Sequence, residues 1–375
     1  MPAWNVTFDR RIELDDINLI RSVAEAEAVA KFLRGVPLHP AVQQRLDRLN
    51  IIRAVRGTTG IEGADLTEEE VDLILREPPD HPVLPASRAR EEQEARNAEA
   101  VMRFVASVTG GDGERPLTEE LVLELHRLTT IGIDYPNNEP GVYRSHAVRA
   151  GDYVPPREGE SVQRLMTEFV EWLNAPPASN WPAVVRAVAA HFYFVSIHPF
   201  GDGNGRTARA IESYLLYQSG VNVLGFYSLA NYYYRNRAEY IELLNHCRFN
   251  EDRDLTPLIR FAVAGLVEEL ATVRQEVVDA VTVITFRDYY RDILQYSADI
   301  NSAVMGRLML FMENLDSPIE EEGLVSQRTP LSAIWAGLSA RTRARDLARL
   351  ESLGLIVREH GLIRPHYEAM EQFRR

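Results

Sequence analysis

Apolar residues recur three and four apart over most of this chain, the spacing that one buried helix face requires. In residues 181–197 Val184, Val185, Val188, Phe192 and Val195 form such a face, and Ile211, Leu215 and Leu216 resume it before Gly220. Residues 118–130, with Leu121, Leu125 and Leu128, and residues 165–173 predict further core helices. Residues 87–105 also read as a helix, but Glu91, Glu92, Glu94 and Arg96 make it most simply a solvated face. Residues 254–274 predict the closing helices of the core, and residues 277–294 a separate bridging helix. The helical period breaks at 141–159. There Val142, Tyr143, Val148, Tyr153 and Val154 favour strand, Gly151-Asp152 a turn, and Pro155-Pro156 the end of any ladder, which predicts a short exposed hairpin. It breaks again near the C-terminus. Helices at 308–315, 331–336 and 339–353 precede two short apolar runs, 354–357 and 362–363, joined by a turn at Glu359-His360-Gly361.

Between the two strongest helical faces lies His-Pro-Phe-Gly-Asp-Gly-Asn-Gly-Arg-Thr-Ala-Arg, residues 198–209. Pro199 disfavours helical geometry at His198. Gly201, Gly203 and Gly205 permit positive φ and close approach of another molecule. The loop delivers its N–H groups at a helix start, where four donors lack intrahelical partners and about half a positive charge accumulates. That is an anion site. Arg206 and Arg209 share a helical face and could grip further phosphate oxygens. Asp202 is the one acid in this positive nest, as expected of a ligand for a hard cation such as Mg²⁺ between carboxylate and phosphates. His198 supplies a proton acceptor near neutral pH. Together these groups suggest phosphoryl or nucleotidyl chemistry. The same spacing also suits a glycine-rich helix connection with solvated charges.

Composition removes some classes. With 375 residues, 45% hydrophobic and 26% charged, the chain is an ordinary globular protein long enough for two domains. No apolar run reaches the roughly 18 residues of a membrane span, so no membrane partner is expected. The stretch holding Asp9, Glu13, Asp15 and Asp16 is not expected to be a signal peptide, and a cytoplasmic location fits. A lone cysteine, Cys247, excludes an internal disulfide and a cysteine zinc site, and should be buried. Lys31 is the only lysine, so no Gly-Lys-Ser/Thr phosphate loop exists. A net charge of −14 argues against nucleic-acid binding over the whole surface, yet from Leu324 onwards nine arginines face five acids, +4 against −18 for the rest.

Residues 198–209 match, at every specified position, the pattern His-Pro-Phe-x-x-Gly-Asn-Gly-Arg-x-x-Arg, and the segment resembles the Fic family motif. The resemblance implies a mainly α fold: a Fic-type helical core with a short β-hairpin flap. It implies a protein adenylyltransferase, moving AMP from ATP to a Ser, Thr or Tyr hydroxyl of a target protein. Implied roles are His198 as base, Asp202 as Mg²⁺ ligand, and Gly203, Asn204, Gly205, Arg206, Thr207, Ala208 and Arg209 as the ATP-binding run. Asn204 would touch phosphate by its side chain, and Arg209 would take the γ-phosphate. Tyr240, in Arg237-Ala238-Glu239-Tyr240, would lie near the adenine, while Tyr153, Val154 and Pro155 would form a flap holding the target. His191 reads as a core histidine.

Arg56-Gly57-Thr58-Thr59-Gly60-Ile61-Glu62-Gly63 reads on spacing alone as a frayed helix end, because glycines oppose a long helix. The resemblance changes that. Thr58, Glu62 and Gly63 look like the inhibitory helix of the Fic subgroup that carries its inhibitor on the same chain, with Glu62 pairing Arg209. A carboxylate and a phosphate would then compete for one guanidinium. The C-terminal succession of short helices, an arginine-bearing helix (Arg341, Arg343, Arg345, Arg349) and a hairpin resembles a winged helix-turn-helix. The expected organisation is 1–95 as a helical region with the inhibitory segment 57–63, 96–270 as the Fic core, 271–300 as a linker helix and 301–375 as the winged helix. DNA and a homodimer stand as further candidate partners. Two other functions stay open: a DNA-binding regulator whose core senses nucleotide, and AMP removal or another phosphate-group transfer.

Overall fold

The computed structural model describes residues 6–109, 115–136, 138–151, 153–156, 159–221, 229–297, 300–326 and 329–373. They form two compact units, divided between Gln275 and Glu276.

In the first unit α1 (Ile17–Gly35), α2 (Pro40–Ile61), α3 (Glu68–Arg76), α4 (Ala89–Thr109), α5 (Glu119–Thr130) and α6 (Gly159–Asn174) precede α7 (Ala183–Ile197) and α8 (Asn204–Gln218), with α2, α4 and α5 packed on α8 and α6 on α7. Then come α9 (Leu229–Arg235), α10 (Arg237–Phe249) and α11 (Thr256–Tyr296). α7 is the central rod: from Val184 to Ile197 every residue but Arg186 is buried. Polar residues fix the starts of its neighbours. Thr67 and Glu70 close a reciprocal capping box on α3, and the Thr118 hydroxyl accepts the Leu121 N–H at 3.2 Å to start α5.

Three expectations change here. α2 runs unbroken through Gly57 and Gly60. Glycine is required there by contact, since a Cβ on Gly57 would sit 2.7 Å from the Asn231 backbone nitrogen and one on Gly60 would collide with the Tyr234 ring. The helix propensity lost at the glycines is offset by how closely α9 approaches. α4 is no solvated face: Glu92, Glu94 and Asn97 are buried along with Ala95, Ala98 and Val101. Glu92 Oε2 accepts the Val83 and Leu84 N–H groups, which anchors the proline-rich connection before the helix. The closing and bridging segments are one helix, the 41-residue α11, because nothing between Arg274 and Val277 breaks it.

The second unit packs the end of α11, through Phe286, Tyr290 and Leu294, with α12 (Ser302–Glu313), α13 (Gly323–Ser326), α14 (Pro330–Trp335) and α15 (Ala340–Ser352). β1 (Ile319–Glu320), β2 (Ile356–Glu359) and β3 (Leu362–Pro365) form an antiparallel sheet in the order β1-β3-β2. β2 and β3 are the expected hairpin, turning through His360 and Gly361, both at positive φ. β1 was not expected from two residues of pattern. The Ser339 hydroxyl caps α15 by accepting the Thr342 N–H at 3.2 Å. Among the described residues no helix is long and apolar enough to cross a membrane.

Candidate active site

α7 ends at His198 in a left-handed conformation, φ 53° and ψ 59°, so the residue before Pro199 stops the helix by reversing its hand rather than by extending. Its Nδ1 lies 3.3 Å from the Val195 carbonyl, a contact that places the proton on Nδ1 and leaves Nε2 as acceptor. Burial first, and then the guanidiniums of Arg248 and Arg144, push the imidazole down to about 4, so it is neutral at physiological pH.

The loop that follows is closed by its own polar groups. Asn204 Oδ1 accepts the Phe200 N–H and its Nδ2 donates to the Phe200 carbonyl, each at 2.9 Å. Asn204 is only 2% exposed, and both ends of its side-chain amide brace the loop from inside. Only Gly203 of the three loop glycines has positive φ. Thr207 bonds back to the Gly203 carbonyl, and both it and Ala208 are buried in the packing of α8. Gly203 N–H donates to Asp202 Oδ1 at 2.6 Å. The N–H groups of Asn204, Gly205 and Arg206 have no acceptor among the described residues, which is the amide nest the sequence implied.

His126 was missed by the sequence reading. Its ring stacks on Phe200 with centroids 3.5 Å apart. Nδ1 accepts the Gly141 N–H at 2.9 Å, so Nε2 carries the proton and donates to the Asp202 carbonyl at 3.1 Å. Burial pushes it down to about 4, consistent with a neutral strut under the loop. Nothing in the pattern of α5 distinguished this histidine from a surface one.

Each arginine of the motif has a carboxylate. Arg206 donates to the Tyr135 hydroxyl at 2.7 Å and lies 3.2 Å from Glu94 Oε1, all three groups being buried. Arg209 donates to the Thr58 hydroxyl and carbonyl, both at 2.9 Å, and to Glu62 Oε1 at 2.7 Å. Glu62 thus ends α2 directly over the nest, where a Cβ on Gly205 would collide with its Oε1. Burial would raise its carboxyl, but Arg209 and then Arg206 outweigh that and hold it below the usual range. Arg209 is buried while the Glu62 side chain keeps 35% of its surface in solvent. Gly63, next in the chain, turns away at φ 106°.

Tyr240 is buried, stacked on Tyr233 at 4.7 Å, with its hydroxyl 2.8 Å from His191 Nε2. Tyr233 donates to Glu212 Oε1 at 2.8 Å. His191 is the expected core histidine, and Tyr240 belongs to this interior network. The expected hairpin flap is reduced to one bridge, Ala150 with Tyr153, through two N–H···O bonds of 3.1 Å, and Asp152 lies outside the described residues. Pro155 is buried and Val154 half-buried. The Tyr153 side chain is buried too, its hydroxyl donating to the Ser196 carbonyl at 2.5 Å.

Residues 116–216 match the family model described as Fic/DOC. The chain contains a Fic domain. A protein adenylyltransferase Fic of Drosophila ananassae is 31% identical over 205 residues, 54% of this chain and 38% of that protein. One of Nematostella vectensis is 31% identical over 231 residues, 61% and 50% of the two chains. The chain therefore spans half or less of these curated relatives. A Fic family protein from Desulfovibrio desulfuricans shares the fold over 97% of this chain and 98% of its own, with TM-score 0.59 and 22% identity. Fic-1 of C. elegans, residues 134–508, shares it over 72% and 74%, with TM-score 0.58 and 24% identity.

Proposed function

We propose that this Fic domain is a protein adenylyltransferase held off by its own Glu62. The observation that carries the reading is the Glu62 carboxylate seated on Arg209 above Gly205, beside three unbonded amides and a neutral His198. An anion already sits where the sequence pattern calls for phosphate, and it comes from the same chain. With Glu62 displaced, the amides and the two arginines bind ATP oxygens and hold the triphosphate in line for attack. His198 Nε2 takes the proton of the target hydroxyl as that oxygen bonds the α-phosphorus and pyrophosphate leaves. The buried guanidiniums of Arg206 and Arg209 then stabilise the charge that develops.

The residues present fit Mg²⁺. Asp202 is half-exposed beside the nest, and its Oδ2 has no hydrogen bond among the described residues. One carboxylate supplemented by substrate phosphates and water is the coordination that ion commonly takes. When bound, it would supply electrostatic stabilisation of the phosphates. We also infer that residues 301–375 are a winged helix-turn-helix, a reading supported by α14 and α15 followed directly by the β2–β3 hairpin.

The test is AMP incorporation from α-labelled ATP into lysate proteins. Glu62→Gly should raise it roughly ten-fold or more, since it frees the guanidinium fork for phosphate. Adding His198→Ala should lower it by ~10²–10⁴-fold. Equal incorporation by the parent and Glu62→Gly chains would remove autoinhibition from the reading. No incorporation by either would remove adenylyl transfer, and release of AMP from a pre-modified target would put removal in its place.

A further inference from the structure

The C-terminus of α7 carries an unusual concentration of buried positive charge. Once His198 N–H has bonded Phe194, the carbonyls of Val195, Ser196, Ile197 and His198 have no helical donor. All four find donors from outside the helix or its cap. Val195 takes Arg248 at 3.5 Å and the His198 ring at 3.3 Å, and Ser196 takes the Tyr153 hydroxyl. Ile197 and His198 take Arg144, at 3.4 and 2.7 Å. Arg144 also donates its backbone N–H to Pro199 and its guanidinium to the carbonyls of His146 and Pro156. Arg248 reaches the Ser196 hydroxyl at 3.2 Å and lies 4.3 Å over the Tyr153 ring.

Arg144 and Arg248 are 4% and 7% exposed, and among the described residues neither has a carboxylate within ion-pair distance. Their counter-charge is the negative end of the α7 dipole and the carbonyls they bind. A buried cation with no acid is costly, which points to a demand at this spot that ordinary packing does not meet. His198 is that demand: it holds a left-handed backbone that a residue with a side chain rarely adopts.

We propose that Arg144 and Arg248, joined by Tyr153, are positioning residues for His198, tying His146, Tyr153 and Pro156 to the end of α7 and fixing the ring's place and charge. The proposal rests on His198 being the base of the preceding section. The charged groups facing the ring are Arg248 from α10, Arg144 from the segment after α5, and Glu62 from the end of α2. Two cations oppose its protonation and one anion favours it, so a cation removed lets the ring protonate at higher pH.

The experiment replaces each arginine by glutamine in the intact Glu62→Gly chain and measures two things. Steady-state transfer should show kcat falling on the order of ten-fold or more through misplacement of the ring. KM for ATP should stay within about two-fold, because the nest, Arg206 and Arg209 are untouched. NMR titration of the His198 ring, which needs no turnover, should move to higher pH, and the acid limb of kcat with it. Tyr153→Phe should lower kcat without moving the titration. If a glutamine variant fails to fold, Arg144→Lys and Arg248→Lys keep the charge but lose the fork; kcat should then fall with the His198 titration in place. Folded variants in which titration and kcat are both unchanged, or in which kcat and KM for ATP worsen equally, would overturn the proposal. Should Glu62→Gly transfer no AMP at all, the adenylyl-transfer reading fails while the titration still decides the strap.

Discussion

The arginines of α8 and those of α15 look alike in sequence, spaced along one helix among small apolar residues, yet they do opposite things. Arg206 and Arg209 are buried, fixed by Tyr135 and Thr58, and paired with Glu94 and Glu62. On α15, Arg341 and Arg345 stand in solvent, and Arg343 donates to the Leu338 carbonyl at 2.5 Å, capping the end of α14. The basic excess of that region is also smaller in space than in sequence. Arg358 lies 2.6 Å from Glu321, which precedes the stretch where the excess was counted, and Arg364 meets Glu368 at 2.8 Å. Charge counted along a chain is not charge on offer. What converts an arginine into a binding group is burial beside an acid that a ligand can displace.

That contrast can be broken at three strengths. Glu94→Leu should be the most damaging, because it leaves buried Arg206 with only the half-exposed Asp202 as an anion. We expect a loss of ~3–5 kcal/mol in urea unfolding, as for one partner removed from a buried pair. Glu62→Gln should cost only about 1 kcal/mol, since its carboxyl is a third exposed and water screens the pair. The Glu62 carboxyl titrates below its unfolded value, so its contribution is complete above a pH of about 4.3 and fades as acid takes the pH down through the folded value. The difference between parent and Glu62→Gln should therefore shrink towards acid pH and stay constant towards alkaline pH. Smallest of all, Arg341→Ala and Arg345→Ala should change stability by less than ~0.5 kcal/mol. If those arginines meet phosphate, each loss should reduce the salt slope of duplex DNA binding, measured by fluorescence anisotropy, by about one. No binding by the parent chain would mark them as surface charge.

The helices were legible because α7 and α8 are buried along their length and so carry a continuous apolar period. The motif was legible because it is contiguous. What lay hidden was whatever depends on partners distant in sequence. Glu94 looked solvated because its acid neighbours share a short stretch, while Arg206 and Tyr135 lie far along the chain. His126 sits in a segment with no chemical pattern of its own, and the meaning of both His126 and Arg144 comes from the carbonyls and rings they meet. Gly57 and Gly60 misled in the same way. Their local effect is to weaken a helix, and only the α9 backbone at Gly57 and the Tyr234 ring at Gly60 explain why nothing larger fits.

That last contact has a kinetic consequence. Glu62 is the residue just past the final turn of α2, and Gly63 behind it is already turning away. A helix end opens more readily than its middle, because few bonds must break. Glu62 can therefore, under the proposed reading, leave Arg209 by melting one turn while Gly57 still holds α2 against α9. Under the proposed reading, the idle rate of the intact protein is a gauge of that melting. Amide exchange at Ile61, Glu62 and Gly63 should rise and fall with unstimulated AMP transfer across temperature, while exchange in α7 stays slow.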